Sequence, residues 1–209
     1  MELLEFGFGR LESVGVGART KSGYKYRLEA DDELPTVEAL VQFARAVLDA
    51  EGEETGVVGE VLRPYRKSAP RPRAGKKGAV KEVVGDTFDT VVLDEEKDAL
   101  VAFYAPWSDE SATLNKELSL VAKTLRQAKA KRVTLAKVDL TTNDAPRNFA
   151  VQRFPTVYWA GRGAKAAPEQ YTGELTAAAI SAFLCERRGA SDPFPVAFGC
   201  ADEDEGGEL

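Results

Sequence analysis

The chain has 209 residues, 44% hydrophobic and 30% charged, a composition that suits a globular protein able to bury a real core and that lies between one and two domains. Its 34 acids and 28 bases leave a net charge of −6, so no global field draws it to nucleic acid or to an anionic membrane surface. No run nears the roughly 18 consecutive apolar residues of a membrane span, and two cysteines without any histidine exclude a four-ligand nitrogen and sulfur zinc site and a Ser-His or Cys-His nucleophile pair. No metal, no cofactor, no nucleic acid and no membrane insertion is expected.

In chain order, Glu2 to about Phe8 is apolar enough to end a buried helix. Val14 to Arg19 and Tyr24 to Leu28 flank a Lys-Ser-Gly turn and read as a hairpin. Thr36 is a plausible N-cap, and Val37, Leu40, Val41, Ala44, Val47 and Leu48 follow at helical spacing, which predicts an amphipathic helix of about thirteen residues packed through that face. From Arg63 to Gly78 the chain carries seven Arg or Lys, three Pro and no acid. That composition reads as a linker; a nucleic-acid patch is the sharper reading, but only Tyr65 is there to stack on a base.

Residues 80–188 alternate completely. Strands are expected at Val80 to Val84, Ala99 to Ala105, Val133 to Asp139, Val157 to Ala160 and about Glu169 to Thr172. Helices are expected around Phe88 to Leu93, from Ser108 with Leu114, Leu118, Val121, Ala122 and Leu125 on one face, over Asp144 to Val151, and after Thr176 with Ile180, Phe183 and Leu184. Beyond Gly189 a Pro-containing segment leads to the acidic tail Asp202-Glu-Asp-Glu205-Gly-Gly-Glu-Leu209, expected to be disordered.

The run Phe103-Tyr104-Ala105-Pro106-Trp107, followed by Phe154-Pro155-Thr156, resembles the second catalytic thioredoxin-type domain of the protein disulfide isomerase family. The stretch before it, with Leu4-Glu5-Phe6-Gly7, Tyr24-Lys25-Tyr26 and Leu62 to Ser68, is similar to the carboxy-terminal half of the family's preceding non-catalytic domain. The resemblance implies an α/β thioredoxin-like fold, a central mixed β-sheet flanked by helices, preceded by a partial thioredoxin-like half-domain. The expected organisation is a half-domain over 1–62, a basic linker over 63–79, the thioredoxin-like domain over 80–190 and an acidic tail over 191–209.

The family's signature continues as Trp-Cys-Gly-His-Cys, whereas here Trp107 precedes Ser108, Asp109, Glu110 and Ser111. A dithiol catalyst needs a thiolate at a helix N-terminus and a second cysteine three residues on. A serine hydroxyl neither ionises near neutral pH nor forms an exchangeable bond to sulfur, so Ser108 is read as an N-cap and Asp109 and Glu110 as acids that favour the helix dipole. The family's buried glutamate proton acceptor corresponds to Ala102, and its lysine partner to Lys137, which is expected to be hydrated or paired with Asp139 or a first-turn acid. Gln152 stands in the place of the family's mobile arginine.

What the resemblance retains is a peptide-binding surface of Trp107, Phe154, Pro155 and Thr156, with the bond to Pro155 cis, although the same residues also serve to pack the fold. Cys185, on the last helix, and Cys200, in the tail, either join in a disulfide in an oxidising lumen or stay as two thiols in a reducing one. The expectation is a redox-inactive member of the family that holds unfolded or partner polypeptides, with no catalytic residues. The alternatives are residual thiol–disulfide exchange through Cys185 or Cys200, or a structural component that self-associates through its partial amino-terminal domain. The compartment implied is the endoplasmic reticulum lumen or secretory pathway. Met1-Glu2-Leu3-Leu4-Glu5 lacks the features of a secretory signal, and the tail keeps only Glu208 and Leu209 of the Lys-Asp-Glu-Leu address, so a truncated longer chain or a different compartment is also expected.

Overall fold

The computed structural model describes residues 15–21, 24–28, 34–50, 65–72 and 80–187. The chain divides into two compact units, Met1–Lys67 and Ser68–Leu209. In the first, strands β1 (Val16–Arg19) and β2 (Lys25–Leu28) pair antiparallel with Val16 opposite Leu28, and helix α1 spans Val37–Ala50. The Thr36 hydroxyl accepts from the Ala39 N–H at 3.2 Å, satisfying a donor that the helix leaves free. Tyr26, Phe43 and Val47 form a small core, with Val16, Ala18, Tyr24 and Leu28 packed on it.

The face of α1 expected inside is only partly so. Phe43 and Val47 are buried, while Val37, Val41, Ala44 and Leu48 are exposed. Phe43 lies on the adjoining stripe and is the largest side chain available, so the hairpin packs where it buries most area. The Glu2 to Phe8 segment lies outside the described residues.

The second unit is built on five strands: β3 (Lys81–Glu82), β4 (Asp98–Tyr104), β5 (Val133–Asp139), β6 (Thr156–Ala160) and β7 (Glu169–Tyr171). Their order is β3-β5-β4-β6-β7, with β3 and β4 parallel to β5, β6 antiparallel to β4, and β7 antiparallel to β6. This is the mixed sheet of a thioredoxin-like fold. Helix α2 (Phe88–Val91) belongs to one face, and α3 (Asp109–Gln127) and α4 (Ala177–Glu186) to the other.

The central place of β4 explains why its sequence is apolar from Ala99 onward. Leu100 and Ala102 point to the α3 and α4 layer, while Ala99, Val101 and Phe103 point to the α2 layer, so neither face tolerates a polar side chain. On the α2 side Phe88, Phe103, Phe149 and Tyr158 form an aromatic cluster with ring centroids 5.2–6.1 Å apart.

The helix expected over Asp144 to Val151 does not form; the segment runs as turns. Pro146 has no N–H to donate and disfavours helical backbone at Ala145. Asn143 is drawn into the fold instead, Phe149 docks into the aromatic cluster, and the Tyr158 hydroxyl donates to the Ala150 carbonyl at 2.8 Å. Part of the stretch expected as linker is also tied down. The Ala69 N–H donates to Asn143 Oδ1 at 2.8 Å, and the Ser68 hydroxyl accepts from the Asp86 N–H at 3.0 Å.

Candidate functional site

Strand β4 ends at Tyr104, and Ala105-Pro106-Trp107 carries the chain to the N-terminus of α3. Ser108 is the N-cap, in extended backbone, with its Oγ accepting from the Ser111 N–H at 3.2 Å and its carbonyl accepting from Ala112 at 3.0 Å. Asp109 and Glu110 occupy the exposed first turn, where their charges favour the positive end of the helix. Ser111 is 1% exposed, and its hydroxyl is buried without a hydrogen-bond partner. A buried unpaired hydroxyl costs about 1–3 kcal/mol, whereas a sulfur in the same place needs no such partner.

Phe103 lies opposite Thr156 in the antiparallel β4–β6 pair, so the Ala105 to Ser108 corner and the Arg153 to Pro155 loop meet at one end of the sheet. The Phe154–Pro155 bond is cis. Trp107 is 74% exposed and meets the half-buried Phe154 edge to face, ring centroids 5.8 Å apart. Pro155 is buried beneath them. Thr156 is also buried, its hydroxyl donating to the Arg153 carbonyl at 2.6 Å, which closes the loop rather than facing outward. Gln152 and Arg153 are exposed at the rim.

Ala102 and Lys137 are register partners across β4 and β5, so the residue opposite the lysine carries only a methyl group. Lys137 is half-buried and its Nζ lies 5.3 Å from the centroid of the Tyr104 ring. The pairing with Asp139 or a first-turn acid is not found among the described residues; Asp139 Oδ1 instead accepts from the Thr141 N–H and hydroxyl. Burial, with Glu82 and Asp139 nearby, pushes the Tyr104 hydroxyl above its ordinary value. The pair therefore presents a cation against an aromatic face.

Cys185 is disulfide-bonded, and Cys200 lies outside the described residues, as does the acidic tail. Among the described residues no three His, Cys, Asp or Glu side chains converge on a point that could hold a metal, and no helix is long and apolar enough to cross a membrane.

Sequence reasoning missed two polar anchors away from this corner. Asn143 is buried, its Oδ1 accepting from Ala69 and Gly85 N–H and its Nδ2 donating to the Asp139 carbonyl. Lys165 is 5% exposed and donates to the carbonyls of Val92, Lys97 and Ala160 at 2.9, 2.6 and 2.7 Å. Burial holds its ammonium below the ordinary value, partly countered by Asp98, Glu95 and Asp94. Neither residue sits in a local pattern that marks it, since two of the partners of each are far away in sequence.

The family model for thioredoxin matches residues 79–186. The probable protein disulfide-isomerase A4 of Caenorhabditis elegans is 43% identical over 58% of this chain and 19% of its own length. Protein disulfide-isomerase A3 of Gallus gallus is 33% identical over 92% of this chain and 35% of its own. The solution structure of the first thioredoxin domain of mouse protein disulfide-isomerase A4 superposes with a TM-score of 0.46 at 24% identity, over 68% of this chain and 92% of that one. The chain thus spans about a fifth to a third of the curated relatives it matches.

Proposed function

Because the chain belongs to the thioredoxin family and carries a thioredoxin-like domain of the protein disulfide isomerase kind, we propose that it acts in protein folding as a holder of unfolded or partner polypeptide, without redox catalysis. The observation that carries this reading is the corner where Ser108 and Ser111 open α3 beneath an exposed Trp107. Ser108 caps the helix, and Ser111 is buried with an unpaired hydroxyl. Both positions support the reading that serines stand where the family places its two reactive sulfurs. With serines at the helix N-terminus, this corner offers no thiolate to attack a client disulfide.

The apolar surface that remains is Trp107 against Phe154, with Pro155 behind. An exposed indole backed by a half-buried phenyl ring beside an irregular loop offers contact area to an extended, partly unfolded chain. Cys185 is held in a disulfide, which removes its thiol as a nucleophile and favours an oxidising compartment such as the lumen of the endoplasmic reticulum.

The test pairs two assays. The native chain should leave insulin disulfides unreduced in the presence of dithiothreitol beyond the uncatalysed rate, while delaying aggregation of a thermally unfolded client; Trp107→Ala should weaken that delay. The Ser108→Cys, Ser111→Cys double variant should gain insulin reductase activity. Catalysis by the native chain, or client protection untouched by Trp107→Ala, would count against the proposal.

A further inference from the structure

At the far end of α3 from Trp107, a cavity of about 600 Å³ opens between the last helical turns, strand β3 and the start of β5. Its volume lies within the range of small-molecule sites, roughly 300–1,000 Å³. The floor is apolar: Leu125 is buried, and Ala130 and Val133 are half-buried against the α3 layer. The rim is cationic, with Lys81, Arg126, Lys129 and Lys131 all exposed around it. No acid among the described residues lines it.

Lys97 also reaches the rim, but its charge is matched by the ion pair with Asp94. The other four have no ion pair among the described residues. Cations near a helix C-terminus are ordinarily explained by the dipole, yet that end carries only about half a negative charge. One cation offsets it, and the remaining surplus stands out in a chain whose net charge is −6. Lys129 moreover occupies a left-handed backbone position, φ 54°, one residue beyond the C-cap, where glycine is the favoured residue.

From this combination we propose that the cavity binds an amphipathic carboxylate, a single hydrocarbon chain of medium length bearing one anionic head. The chain would lie on Leu125, Ala130 and Val133, and the head among Arg126, Lys129, Lys131 and Lys81. A bare anion leaves the apolar floor unused. A nucleotide lacks a stacking partner, since no aromatic side chain is among the described lining residues. The nineteen residues of α3 separate this site from Trp107 by about 28 Å, at roughly 1.5 Å per residue, so it is independent of the polypeptide surface.

The test titrates the full chain with dodecanoate below its micellar concentration, at low salt, by calorimetry and by amide chemical shifts. Saturable binding with one molecule per chain and shifts centred on Leu125, Ala130 and Val133 is expected. Dodecan-1-ol and acetate should each bind more weakly than dodecanoate, because each keeps only one half of the interaction. The triple variant Arg126→Gln, Lys129→Gln, Lys131→Gln should lose about tenfold in affinity, equal to ~1.4 kcal/mol. Lys129→Gly, which suits the backbone there and removes one charge, should weaken binding while keeping the fold by circular dichroism. Absence of saturation, equal affinity for dodecan-1-ol, shifts centred on Trp107, or unchanged affinity in the triple variant would overturn the proposal.

Discussion

Ser111 sets a polar atom in an unpaired position at this corner. Its hydroxyl is buried and makes no hydrogen bond. Replacing it with alanine removes the unmet polar atom and adds helix propensity, so Ser111→Ala should stabilise the chain by about 1 kcal/mol in urea unfolding. Lys165 makes the contrasting case, a buried charge whose every hydrogen bond ends on a carbonyl. With its folded-state value below the ordinary 10.5, the unfolded chain binds more protons than the folded one between that lowered value and 10.5. The stability of the native chain minus that of Lys165→Met should therefore rise as pH climbs through this window. Taking the difference cancels the tyrosines, Tyr104 and Tyr171, whose raised values act in the opposite direction in both proteins. Denaturant titrations from pH 8 upward would check the sign, and a falling difference would refute the assignment.

Helix α1 shows how an amphipathic element can be legible while its docked face is not. The 3.6-residue spacing of its apolar positions marks the helix correctly, but the residues span more than one stripe, and packing chooses the stripe with Phe43 and Val47. Phe43→Ala should destabilise its unit by about 3–5 kcal/mol. Leu48→Gln, at an exposed position, should change stability by less than about 0.5 kcal/mol. Thermal melts of the two variants give the comparison directly. The loop after β5 carries the complementary lesson. Its apolar residues look helical, yet Pro146 and the side chain of Asn143 give the backbone a different set of partners. Asn143→Ala would leave the buried Gly85 N–H without an acceptor, at a cost of about 2–3 kcal/mol in chemical denaturation.

At the scale of the molecule, the second unit is a sheet covered on both faces, and β4 joins the two cores. Phe103 contacts Phe88, Phe149 and Tyr158 at once, so Phe103→Ala should be among the most destabilising single changes, by roughly 3–5 kcal/mol in equilibrium unfolding. The same strand delivers Trp107 to one end of the sheet, and α3 returns the chain to the other, where the cationic cavity lies. Each end thus has its own surface chemistry, aromatic at one and cationic over an apolar floor at the other.

By itself the sequence determined the strands of the second unit and its helices apart from the one expected over Asp144 to Val151, the Ser108 cap and the absence of a reactive dithiol after Trp107. These are local properties: residue type, spacing along the chain and the chemistry of oxygen against sulfur. The meeting of Trp107 with Phe154 was legible only through family resemblance, because nearly fifty residues separate them. Only the tertiary structure decided that Ser111 has no partner, that Lys137 faces Tyr104, that Asn143 and Lys165 staple distant loops, and that four lysines and arginines ring one apolar hollow. Each of these depends on groups brought together from separate stretches of chain, a convergence that no periodicity along one stretch encodes.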